Sequence, residues 1–202
     1  HWRDWSSDVC SSDLGRPMDG RGRIHFLGGT LDLPDAGWHF THLHGALDFD
    51  DGSLSAENLG LLFGDEPMRL DVASTGGAGN GETVFRLAGR YRLQTLLGEA
   101  ADELSGSGRD ALASGETDGV LTLTVPAARA GAPQYVLGFD SPLSGLALDL
   151  PAPLGKRAED KRPLALKVEV GTRERARLSL DYGRELRVLL ELDDFPQAPR
   201  IE

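Results

Sequence analysis

The sequence predicts a mainly β protein, built from many antiparallel strands that each have one apolar and one wet face. Three observations point there. Apolar and polar residues alternate with a period of two in stretch after stretch, which is the side-chain period of a strand. The 26 Gly and 11 Pro among 202 residues supply closely spaced turns, as an all-β chain requires. One-faced alternation selects antiparallel pairing, because parallel strands covered on both sides are apolar throughout.

Residues Asp4 to Leu14 read DWSSDVCSSDL and resemble the in-frame translation of a short-read sequencing adapter. Residues 1–14 are therefore set aside as not native, and 15–202 are expected to be a piece of one extended domain from a longer chain. Cys10, the single cysteine, goes with them, which removes disulfide frameworks and thiolate chemistry without deciding a redox compartment.

From Gly15 onward, Ile24 and Phe26, Leu31 and Leu33, then Leu43, Leu47 and Phe49 suggest the first strands, followed by Leu70 and Val72, and by Val84, Phe85 and Leu87. Asp51 and Gly52 form a hairpin pair, and Ser74 to Gly81, STGGAGNG, is a loop. Leu93, Leu96, Leu97, Ala100, Ala101 and Leu104 recur at three and four. They predict a short amphipathic helix near 93–104, inside an insertion of about 92–114. Strands are expected to resume at Val120. Leu121, Leu123 and Val125 alternate with threonines, followed by Tyr135, Leu137 and Phe139, and by Leu146, Leu148 and Leu150. Leu164, Leu166, Val168 and Val170 come next, then Leu178, Leu180 and Tyr182, and finally Leu186, Val188, Leu190 and Leu192.

Roughly eleven one-faced strands must be covered, since each buried Leu or Val stabilises by about 1.5 to 3 kcal/mol and a bare apolar face aggregates. Either two sheets pack as a β-sandwich, or one sheet curls into a trough filled by an apolar ligand. From the sequence alone the closed solution, a sandwich or barrel, is the expected one, because closed β architectures greatly outnumber open grooves.

The chemistry-bearing patterns are incomplete. His39, His42 and His44 lack further ligands, although His42 and His44 are expected to share a strand face, with Trp38 and Phe40 beside His42. Asp48, Asp50 and Asp51 begin a calcium-like loop whose twelfth position is Leu59 rather than Glu. Gly155 and Lys156 lack the upstream glycine and the following Ser or Thr of a phosphate loop. No carboxylate pair or nucleophile elbow stands out. The chain is acidic, with net charge −11, which argues against nucleic acid and anionic membrane surfaces. No enzyme, metal or cofactor is expected.

Ser141 to Leu166, SPLSGLALDLPAPLGKRAEDKRPLAL, resembles a characteristic segment of the YhdP family of large AsmA-like bacterial proteins. Gly145, Leu146, Leu150, Pro151, Pro153, Leu154, Gly155, Lys156, Pro163 and Leu164 carry the match. His42 to Ser74 resembles a repeated strand-turn-strand unit, through Gly45, Leu47, Phe49, Gly52, Leu54, Ala56, Gly64, Pro67 and Leu70. The resemblance implies a long curled β-sheet of the β-taco type with a hydrophobic groove. It implies a protein anchored in the Gram-negative inner membrane that extends through the periplasm and carries phospholipid to the outer membrane without catalysis. Its partners would be phospholipid acyl chains, the remainder of the same chain and other periplasmic or outer-membrane proteins. Expected groove-lining residues are Leu121, Leu123, Leu137, Phe139, Leu148, Leu166, Val168, Leu178, Leu180, Val188 and Leu190, with the 93–104 helix as a cap or plug. The competing expectations are a structural or adhesive secreted β-sandwich and an unrecognised hydrolase. At LALDLPAPLGK the prolines are expected to end the strand and send Arg157 to Arg162 into water.

Overall fold

A computed structural model describes residues 20–33, 38–76, 81–92, 113–127, 133–171 and 175–193. The expected helix at 93–104 lies outside them. The described residues form one antiparallel sheet of eleven strands, without a second sheet to make a sandwich. In chain order these are β1 (Arg21–Leu33), β2 (Trp38–Asp50), β3 (Ser53–Phe63), β4 (Glu66–Thr75), β5 (Glu82–Arg92), β6 (Ala113–Pro126), β7 (Tyr135–Ser141), β8 (Leu146–Leu148), β9 (Leu164–Val170), β10 (Ala176–Tyr182) and β11 (Leu186–Leu192). The order is sequential from β1 to β7 and from β9 to β11, with β7 paired to β9. Only β8 leaves the path, to pair with the start of β6. β1 and β11 do not meet, so the sheet is not a barrel.

Turn chemistry explains much of this meander. Asp51 and Gly52 both have positive φ, 45° and 82°, which gives the two-residue turn whose twist matches its flanking strands. Gly64 and Asp65 make the next hairpin. The mid-strand irregularities are equally informative. Positive φ at Gly28, His42 and Asn58 coincides with register slips on β1, β2 and β3. A bulge bends its strand, so three neighbouring bends crease this side of the sheet. The amide of Asn58 donates instead to Asp71 Oδ1 at 2.7 Å.

Three sequence expectations change. Ile24 to Leu33 is one bent strand, β1, rather than two short ones. β6 begins at Ala113, seven residues before Val120, because its polar first half is held by pairing with β5 and β8. His42 does not share Phe40's face. Its left-handed backbone slips the register, so Trp38, Phe40 and Leu43 pack together on the apolar face while the His44 ring lies against Gly60 on the other side.

Registered pairing joins the apolar faces into one surface. Leu70, Leu87, Leu121, Phe139, Leu166, Leu180 and Val188 stand side by side across β4, β5, β6, β7, β9, β10 and β11. The opposite face carries cross-strand ion pairs such as Arg23–Asp48, Arg177–Glu191 and Arg187–Asp181. Curling closes the apolar face most tightly over β2 to β7, where rings of Trp38, Phe40, Phe63, Tyr91 and Phe139 meet at centroid distances of 4.9 to 6.4 Å. The directly paired Gly89 and Gly119 make room for this cluster. A Cβ on the first would lie 2.1 Å from Met68 Sδ, and on the second 2.8 Å from the Phe139 ring. Glycines at such sites let a sheet curve while a large neighbour covers the gap.

Candidate functional site

The candidate site is the apolar groove itself. Ten of the eleven expected lining residues fall in two adjacent rows. One contains Leu121, Phe139, Leu166, Leu180 and Val188, and the other Leu123, Leu137, Val168, Leu178 and Leu190, each residue directly opposite the next. Leu148 stands apart on β8, packed with Leu143, Leu146, Leu154 and Tyr182. Sequence reading left out the other strands' contributions to the second row, Ala56, Val72 and Phe85, beside which Leu47, paired with Ile24, packs. Several were visible as strand residues, but only the register places them in one line with Leu123.

The buried hydroxyls of Tyr91, Thr117 and Ser141 find their partners within the protein. Tyr91, 1% exposed, donates its hydroxyl to Leu87 O at 2.6 Å. Burial pushes its phenol well above the usual range, so the groove floor presents a neutral ring. Thr117 and Ser141 hydroxyls pair at 2.9 Å, and Ser141 also takes the Leu143 amide at 3.0 Å. The described lysines and arginines of the strands, including Arg23, Lys167, Arg177 and Arg187, stand on the outer face or at strand ends, with Lys167 beside Glu169. The groove surface therefore offers contact for hydrocarbon, with few free hydrogen-bonding groups.

One end of the groove is built by the excursion between β7 and β9. β7 and β8 lie along the same edge of β6, separated by a break at Pro142–Gly145. The chain turns through Pro151–Gly155 and returns at Lys156, which bridges to Leu148 before β9 restarts. Two glycines of the motif are dictated by backbone crowding. At Gly145 (φ 89°) a Cβ would lie 2.5 Å from Glu116 O, and at Gly155 it would lie 2.3 Å from Leu150 O.

Arg157, Glu159, Asp160 and Lys161 are exposed, as the solvated linker was expected to be, but Arg162 is half-buried and Lys156, just before the linker, is buried. Lys156 is 6% exposed. Its ammonium donates to the carbonyls of Leu143 (2.7 Å), Arg157 (2.9 Å) and Leu146. Its three donors each meet one carbonyl, and the Arg157 carbonyl also takes the Asp160 amide at 3.2 Å. Burial pulls the Lys156 pKa down, as does Arg162, whereas Asp160 and Glu159 push it up. Arg162 Nη1 faces the carbonyls of Pro153 (2.8 Å), Leu154 and Gly155 (each 3.3 Å). Its guanidinium carbon sits 5.1 Å from the centre of the Tyr182 ring, and the Tyr182 hydroxyl donates to Leu154 O at 2.7 Å. Leu154 packs against the cluster of Leu143, Leu146 and Tyr182, as do Leu164 and Leu180 of the groove. The prolines do end the strand, and the lysine that follows them ties the break together. No sequence signal separates such a lysine from a solvated one, because its three acceptors come from both sides of the turn.

No curated protein and no solved structure matches the chain. A family model does. The YhdP model, described as YhdP protein, matches residues 12–202, a span that takes in every described strand and the Lys156 excursion, and the chain belongs to the YhdP family.

Proposed function

We propose that this chain is a stretch of a lipid-conveying groove in a Gram-negative envelope protein, acting in the periplasm and anchored in the inner membrane through another part of the protein. Phospholipid acyl chains lie against the apolar strand faces while headgroups stay in water, so a lipid crosses the aqueous space without exposing its tails. The protein does no bond chemistry. It lowers the cost of transfer by substituting leucine and valine side chains for the bilayer interior. The observation that carries this reading is the pair of register-matched apolar rows on an unclosed sheet, whose members toward β11 remain half-exposed, with Leu190 46% exposed. YhdP family membership supports it as well.

The test is native mass spectrometry of the full-length protein purified in mild detergent. Phospholipid is expected to remain bound to the wild type. Leu180→Asp places a charge in the groove and should strip the lipid while the β-sheet circular dichroism persists. A wild type that is always empty, or a variant that loses lipid only by unfolding, would overturn the proposal.

A further inference from the structure

The two rows of the groove are not equivalent. On β5, β6 and β7 one row, Leu87, Leu121 and Phe139, is buried. It is packed into the cluster of Phe63, Met68 and Tyr91, with the Tyr91 and Phe139 rings edge to face at 5.2 Å. The neighbouring row on the same three strands, Phe85, Leu123 and Leu137, is only half-buried. On β9, β10 and β11 the difference disappears. Leu166, Leu180 and Val188 are half-buried, as are Val168 and Leu178, and Leu190 is exposed.

We infer that the groove carries its lipid tail on a track of unequal width, one row wide on β5 to β7 and two rows wide on β9 to β11. This rests on the lipid-carrying function proposed above. On the narrow part the tail touches Phe85, Leu123 and Leu137, and Leu87, Leu121 and Phe139 serve as a permanently dry wall. Close packing is the reason. A side chain already enclosed at interior density has no free surface to give to a ligand, and opening the ring cluster would forfeit its contacts. The half-buried row has surface left to cover, and covering it is favourable in proportion to its apolar area. The occupant is a hydrocarbon chain because Phe85, Leu123, Leu137, Val168, Leu178 and Leu190 form a continuous line over six adjacent strands. None of these side chains bears a hydrogen-bonding atom, so a polar ligand would be desolvated there without compensation.

A phosphatidylethanolamine bearing a diazirine within one acyl chain tests the track on the unsubstituted full-length protein. The lipid is loaded from vesicles and photolysed, and the adducts are located by tandem mass spectrometry. Adducts are expected at Phe85, Leu123 and Leu137, several-fold above any at Leu87, Leu121 and Phe139, and in both rows on β9 to β11. Labelling of Leu121 or Phe139 as strong as that of Leu123 would overturn the narrow track while leaving the lipid function standing. Labelling of outward-facing Thr122 and Thr124 at the same level would show that no row is selected, and the track would fall. An absence of adducts on either row would overturn both the track and the function beneath it.

Discussion

The excursion from Pro142 to Pro163 and the β10–β11 hairpin are neighbours at one end of the sheet, and they use their cations in opposite ways. In the excursion, Lys156 and Arg162 turn inward and spend their donors on backbone carbonyls. In the hairpin, Arg177 and Arg187 reach across the solvent face to Glu191 and Asp181, and Leu189 points outward with 67% of its surface exposed. A cation among carbonyls freed by a broken strand is structural, because removing it strands acceptors away from water. A cation in a water-washed ladder is worth little, because solvent and salt replace its partner. The same residue types a few strands apart therefore carry different weight.

The largest test of that contrast is Lys156→Ala. It removes the ammonium from the Leu143 and Leu146 carbonyls and one of the two donors from the Arg157 carbonyl, and should lower stability by about 3 kcal/mol, measured by urea unfolding. Lys156→Met restores the volume but not the donors and should recover only a minor part of the loss. Full recovery by methionine would show that packing, rather than the carbonyls, sets the role of this position. A smaller effect is expected from Tyr182→Phe, which keeps the ring under Arg162 and removes the hydroxyl that binds Leu154 O. A loss of about 1 kcal/mol should follow, and the same unfolding curve reads it. The smallest effect belongs to the hairpin. Arg187→Gln should leave the unfolding midpoint unchanged within error at physiological salt, and a clear loss there would erase the distinction between the two regions.

Much of the architecture was legible because a strand's period is local. Leu164 to Val170 and Leu178 to Tyr182 announce their apolar faces without knowledge of any partner, and Asp51–Gly52 announces its turn. What escaped depended on contacts distant in sequence. The first half of β6, ASGETDG, has almost no apolar content and is a strand because β5 and β8 pair with it. His42 looks like an ordinary alternating position, yet a bulge there changes which side chains share a face. Lys156 could not be told from a solvated lysine, since its acceptors exist only once β7 breaks and the turn folds back. The groove was legible as an apolar stripe on each strand. Its division into a dry row and a half-open row was not, because burial depends on how tightly Met68 and Phe139 close over the Gly89–Gly119 gap.

The uninterrupted sequential pairing from β1 to β7 has a consequence for size. A barrel has a fixed circumference, so its strand number sets its bore. An open meander has no such closure condition, and each added hairpin lengthens the trough by about 10 Å, two strand spacings, while leaving its cross-section alone. Duplicating or losing one such unit therefore changes reach in fixed steps and leaves the side-chain rows in line. The length of such a trough is set by counting hairpins, with no need to redesign its apolar rows.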